Sequence, residues 1–199
     1  MRLFIACRIP PDAQQAIAEV SSGVRHSLPA ASWVRVGSLH LTFAFLGEQK
    51  SEAVPPLASA LARRLNGAPA VIARLGGIGF FPSSGKPRVG WLAVEPAQPL
   101  IGIAAGVLSA AHDCGLSIDE KPFVPHLTIV RMKASWKEQD RSHLVHAFNG
   151  ITIPAMLVDS VDLIRSKLRP DGPSYENLAS IVLVRNGGSS VDERDSSTR

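Results

Sequence analysis

His40-Leu41-Thr42-Phe43-Ala44-Phe45-Leu46-Gly47 and His126-Leu127-Thr128-Ile129-Val130-Arg131 are near copies of one short pattern, histidine, apolar, threonine, apolar, in opposite halves of a 199-residue chain. Each run is strand-like, and side chains alternate between faces along a strand. Histidine and threonine, two positions apart, therefore share a face, while Leu41 and Leu127 turn into a core. Two such faces turned toward each other surround a small anion with two imidazoles and two hydroxyls. By the same parity Phe43 and Phe45 go to the core. Arg131 falls opposite His126 unless a twist or bulge at the strand end brings it round.

Working outward, Leu3 to Ile9 reads as a buried strand ended by Pro10-Pro11. Helical spacing at Ile17, Val20 and Val24 predicts a helix over 12–26. Trp33-Val34-Arg35-Val36 is a short extended piece. A second helix is expected over 51–65, with Ser51 as N-cap and Gly67 beyond its end. Val71 to Leu75 reads as a strand broken by Gly76-Gly77, followed by a turn-rich loop from Gly79 to Pro87. A strand over 88–95 and a helix over 100–114 precede the second motif. A polar helix over 135–148 and strands over 157–168 and 178–185 complete the body.

The order strand, helix, motif strand, helix recurs after residue 88, which reads as an internal duplication. The expectation is an α+β fold: two pseudo-symmetric lobes of mainly antiparallel sheet, helices outside and a central cleft between. One bilobal domain is expected over 1–185. The glycine, serine and charge of 186–199 read as a disordered tail.

Composition bounds the function. At 45% hydrophobic the chain can bury a core, and its net charge of +4 suits a polyanionic partner only mildly. Cys7 and Cys114 form no metal spacing and read as free thiols in a reducing compartment. The apolar N-terminal stretch is too short for a secretion signal, and no window approaches the ~18 apolar residues of a membrane helix. A cytoplasmic monomer without membrane association is expected.

Imidazole titrates near neutrality, at a pKa of about 6.5, so a pair can hold one base and one acid at the same pH. Threonine hydroxyls can donate to the non-bridging oxygens of a phosphate. The set suits in-line displacement at phosphorus. A metal is not required, since neither motif has a neighbouring carboxylate; a zinc site built from both histidines and a distant ligand is the alternative.

These residues resemble the 2H phosphoesterase superfamily, and within it the bacterial and archaeal RNA 2',3'-cyclic phosphodiesterase branch, also called the 2'-5' RNA ligase family. The likeness is carried by Arg2-Leu3-Phe4-Ile5-Ala6, Trp33-Val34, both motifs with Phe123-Val124-Pro125 before the second, Gly76-Gly77-Ile78-Gly79-Phe80-Phe81-Pro82 and Pro87-Arg88-Val89-Gly90-Trp91. It runs to about Arg185. The resemblance implies hydrolysis of an RNA terminal 2',3'-cyclic phosphate to a 2'-phosphomonoester, with no cofactor. It makes His40 the proton donor, His126 the proton acceptor, and Thr42 and Thr128 their companions. Arg131, which follows the second motif as in the family, becomes a candidate phosphate ligand. The expected partners are RNA 3' ends or short oligonucleotides bearing the cyclic phosphate. End ligation, hydrolysis of a small cyclic nucleotide and a non-catalytic RNA-end binding module stand as alternatives.

Of the remaining groups, His26 and His112 sit near expected helix C-termini, and His143 and His146 fall on a polar helix. Lys86 and Arg88 flank the loop after Phe81. Tyr175, the one tyrosine, follows a Gly-Pro turn and reads as core packing, with a place lining the cleft as the alternative.

Overall fold

In the computed structural model of the chain, the described residues are 1–118, 121–169 and 172–185, and the expected tail at 186–199 lies outside them. The strands are β1 (Arg2–Arg8), β2 (Ala31–Trp33), β3 (His40–Glu48), β4 (Val71–Phe81), β5 (Val89–Glu95), β6 (His126–Met132), β7 (Met156–Val158), β8 (Ser160–Arg169) and β9 (Gly172–Val182). The helices are α1 (Pro11–Val24), α2 (Val54–Arg64), α3 (Ala97–Asp113) and α4 (Glu138–Asn149). Two sheets form, one in the order β3-β1-β8-β9 and the other β2-β6-β5-β4-β7. Every paired strand within them runs antiparallel.

The duplication is visible in the pairing. β1–α1–β3–α2 is matched by β5–α3–β6–α4, and β1 pairs with β3 as β5 pairs with β6. The halves are nevertheless interleaved. β2, from the first half, adds to β6 in the second sheet, and the C-terminal hairpin β8–β9 completes the first sheet beside β1. β3 and β6, the motif strands, pack against each other between the sheets.

Local sequence explains the elements. β1 is apolar from Leu3 to Cys7 and buried throughout that run, as a central strand must be. Pro11, whose fixed φ suits a first helical turn, opens α1. α3 buries Leu100, Ile103, Ala104, Val107, Ala110 and Ala111 along one stripe. Each large aliphatic side chain so buried contributes roughly 1.5–3 kcal/mol. Leu41, Leu127 and Ile129 join one continuous core with α2 and α3.

Some boundaries differ from expectation. Gly76-Gly77 does not end β4, which runs on through Phe81; the pairing with β5 skips between Leu75 and Ile78, so the glycines form an irregularity in a ladder that β5 holds before and after them. Ser51 starts a 3-10 turn, and α2 begins only at Val54, where Pro55 and Pro56 occupy its first turn. α3 starts at Ala97, and β9 starts at Gly172 because it forms a hairpin with β8.

Candidate active site

Both motif strands carry a bulge at the same place. Opposite β3, Ala6 pairs with Thr42 and Ile5 with Ala44, so Phe43 is the extra residue. Opposite β6, Trp91 pairs with Thr128 and Gly90 with Val130, so Ile129 is extra. A bulge lets two successive side chains face one way and reverses the parity beyond it. Ile129 and Val130 are both buried, and Arg131 returns to the face of His126 and Thr128. In β3 the same reversal corrects the expected position of Phe45. Phe43 is in the core, but Phe45 is 57% exposed and faces the cleft. Phe45 and Arg131 are therefore equivalent positions of the two copies.

The cleft is a cavity of about 490 Å³ between the sheets, with His40, Thr42, His126, Thr128 and Arg131 in its wall. Each imidazole is anchored in the same way. His40 Nδ1 lies 2.6 Å from the Ser38 carbonyl and His126 Nδ1 lies 2.7 Å from that of Val124, in each case two residues earlier. A carbonyl only accepts, so Nδ1 carries the hydrogen and Nε2 is the nitrogen left for chemistry. Aromatic rings hold the imidazoles from the sides. Phe4 lies 4.9 Å from His40, and Tyr175 meets it edge-on at 5.3 Å. Phe81 and Trp91 flank His126 at 5.0 and 5.9 Å.

These surroundings set the protonation. Burial pushes both imidazole pKa values below the ordinary histidine value, opposed by the carbonyl hydrogen bonds. The Arg131 guanidinium depresses both further, and His126 also lowers His40. The cleft by itself thus favours neutral imidazoles, and an anion entering it favours protonation of one.

Tyr175 is not a core residue. It is 37% exposed and lines the cavity, because the β8–β9 hairpin places it beside β1 and Phe4, 5.2 Å away. Strand parity could not find it, since its position depends on the pairing of distant segments. A second, largely apolar cavity of about 770 Å³ adjoins the first, shares Thr42, Phe45, Phe81 and His126 with it, and extends past Phe43 and Phe123 to α3.

The wall behind His126 depends on one glycine. A Cβ at Gly79 would lie 2.2 Å from the Trp91 ring, which stacks on Phe81 at 4.9 Å. Gly79→Ala is expected to push the indole off the strand, to cost roughly 1–3 kcal/mol in denaturant unfolding as overpacking does, and to lower turnover. Unchanged tryptophan emission and an unchanged unfolding midpoint would refute this account.

Comparison with known proteins bears on what the cleft does. A profile described as the 2'-5' RNA ligase superfamily matches residues 9–169. The chain belongs to that family. An RNA 2',3'-cyclic phosphodiesterase of Thermus thermophilus is 36% identical over 92% of this chain and 90% of its own length. A relative of the same name from Geobacillus stearothermophilus is 30% identical over 91% of this chain, which spans 57% of that longer protein. Among solved structures, the T. thermophilus protein TT0787 superposes with a TM-score of 0.74 at 30% identity, covering 94% of this chain and all of that one. E. coli LigT complexed with 3'-AMP gives 0.72 at 27% identity, covering 92% and 97%.

Within this member of the 2'-5' RNA ligase superfamily the other nominated residues lie outside the main cavity's wall. His143 Nε2 is 3.0 Å from the Ser27 hydroxyl, and His112 ends α3. His26 lies in the 3-10 turn after α1, where the Arg25 Nε donates to its ring, and His146 lines an open groove on α4. Lys86 and Arg88 sit at the loop between β4 and β5. Cys7 and Cys114 are free thiols, and burial pushes the Cys7 pKa up to about 12, which keeps it a thiol. Among the described residues no three of His, Cys, Asp and Glu gather as a metal site, and no helix is long and apolar enough to cross a membrane.

Proposed function

We propose that the chain hydrolyses the 2',3'-cyclic phosphate at an RNA end to a 2'-phosphomonoester, by acid–base catalysis from two histidines without a metal ion. The observation that carries this reading is the matched anchoring of His40 and His126, each tied through Nδ1 with Nε2 left over, in one cavity with two threonines and an arginine. The names of its relatives and the 3'-AMP complex of LigT support a nucleotide phosphate as the ligand.

His126 Nε2 takes a proton from water as the water oxygen attacks phosphorus. The bond from phosphorus to the 3' oxygen breaks in line with the attack, and His40 Nε2 gives that oxygen its proton. The product carries a 3' hydroxyl and a 2' phosphate. Exchange with solvent returns the proton from His126 to His40. Thr42, Thr128 and Arg131 donate to the non-bridging oxygens, where charge builds. His40 must be protonated at the start, and the phosphate's own charge raises its depressed pKa on binding. Phe45 and Tyr175 offer apolar faces to the base and ribose.

A second reading, ligation, has a specific observation in its favour. The apolar second cavity adjoins His126, the proposed base, and has room for a nucleoside whose 5' hydroxyl replaces water. Adding oligonucleotides with a 5' hydroxyl separates the two readings.

The hydrolytic reading is tested with oligonucleotides ending in 2',3'-cyclic phosphate, incubated in EDTA and followed by phosphorus NMR. A 2'-phosphomonoester is expected at the rate seen without chelator. A 3'-phosphate product would reverse the roles of the histidines. Activity lost in EDTA and restored by zinc or manganese would overturn the metal-free mechanism. Tight binding without turnover would leave a binding module.

A further inference from the structure

A small cavity of about 100 Å³ opens beside the cleft and shares Ser38, His40 and Tyr175 with it. Arg8 and Asn177 contribute its polar lining. Arg8 is the cross-strand partner of His40, so the two side chains stand next to each other on one face. Beneath it lies Asp162, the buried charged residue of the described core. Asp162 Oδ2 accepts from Arg8 Nε at 3.1 Å, and its Oδ1 accepts from the Ser180 hydroxyl at 2.5 Å. The carboxylate is almost wholly covered, 5% exposed, whereas Arg8 is 63% exposed. Both carboxylate oxygens are thus satisfied from within the protein. The guanidinium is pinned by its Nε edge, and its Nη edge remains for a second anion. Holding an arginine in this way removes much of the rotamer entropy that binding would otherwise cost.

We propose that Arg8 and this small cavity form a subsite for the phosphate on the 5' side of the terminal nucleoside, so that the enzyme reads an RNA end and not merely a cyclic phosphate. The inference rests on the proposed role of His40 as donor to the 3' oxygen. That role puts the terminal ribose on the His40 side of the cleft, and the chain leaves the ribose through its 5' oxygen. The next phosphate then lies beyond His40, where the Arg8 cavity opens. The cavity is too small for a base and of the scale of a phosphate. A guanidinium edge is suited to two parallel hydrogen bonds with phosphate oxygens.

Three substrates test this: a nucleoside 2',3'-cyclic phosphate, the same compound carrying a 5' phosphate, and a dinucleotide ending in the cyclic phosphate. The wild-type protein is expected to show kcat/KM at least tenfold higher for the last two than for the first. Arg8→Gln, which keeps a hydrogen-bond donor near Asp162 but loses the cation, should remove most of that preference. Arg8→Lys should restore part of it. Equal losses on all three substrates would make Arg8 a support for His40 and overturn the subsite. A wild-type protein indifferent to the 5' phosphate would overturn it as well. Failure to hydrolyse any of the three would overturn the hydrolytic reading, and this inference with it, whereas turnover without preference leaves that reading standing.

Discussion

Replacing His40 or His126 with Ala is expected to lower turnover of a cyclic-phosphate-ended oligonucleotide by roughly 10²–10⁴-fold, the usual worth of a general acid or base. The double variant should lose little more than the worse single one, because in the proposed mechanism the two imidazoles act in one concerted displacement and half of a proton relay has little value alone. Both rings are held by a carbonyl and by aromatic neighbours and do not carry the hydrophobic core. The variants should therefore fold, which circular dichroism and the unfolding midpoint would verify. Wild-type-like turnover in the folded double variant would end the two-histidine mechanism.

Arg131→Met should produce the next largest effect, in two separable parts. Loss of a charged donor to phosphate, worth roughly 1.5–3 kcal/mol, predicts a fall in kcat/KM of about 10- to 100-fold. The second part is a displaced pH profile. Under the proposed roles the rate rises with pH as the base His126 loses its proton, and falls again as the donor His40 loses its own. Arg131 lowers the pKa of both imidazoles. Removing it raises both, so the whole bell should move to higher pH, with apparent values belonging to the coupled pair. A reduced rate with an unmoved bell would show that Arg131 binds phosphate without tuning the histidines. A bell moved to lower pH would contradict the electrostatics of the cleft.

Much of the site was legible because the motif is repeated. One His-Leu-Thr segment says little; two, each opening a strand of a duplicated unit, imply a shared cleft. Parity correctly placed His40 with Thr42 and His126 with Thr128, and sent Leu41, Phe43 and Leu127 inward. It failed for Phe45 for the reason it was uncertain for Arg131, a one-residue bulge that reverses faces. A signal for this did exist. Aligning the two copies sets Phe45 opposite Arg131, so any argument that turned one into the cleft applied to the other. The run of β4 through Gly76-Gly77 had no such signal, because it is fixed by β5, which pairs with β4 up to Leu75 and again from Ile78.

The sequence by itself determined the α+β character, the duplication, the two histidine–threonine pairs and the family to which they belong. The first three rest on periodicity and spacing and the family on a resemblance of motif residues; all are local and survive without knowledge of partners. Only the tertiary structure decided what surrounds them. Tyr175 reaches His40 because a C-terminal hairpin joins the first sheet, and β2 joins the second sheet across the duplication. Arg8 is aimed by an aspartate far along the chain, buried through the pairing of β1 with β8 and of β8 with β9. The depression of both imidazole pKa values arises chiefly from burial between the sheets. Long-range pairing and desolvation depend on which segments meet, and no window of sequence contains both sides of such a meeting.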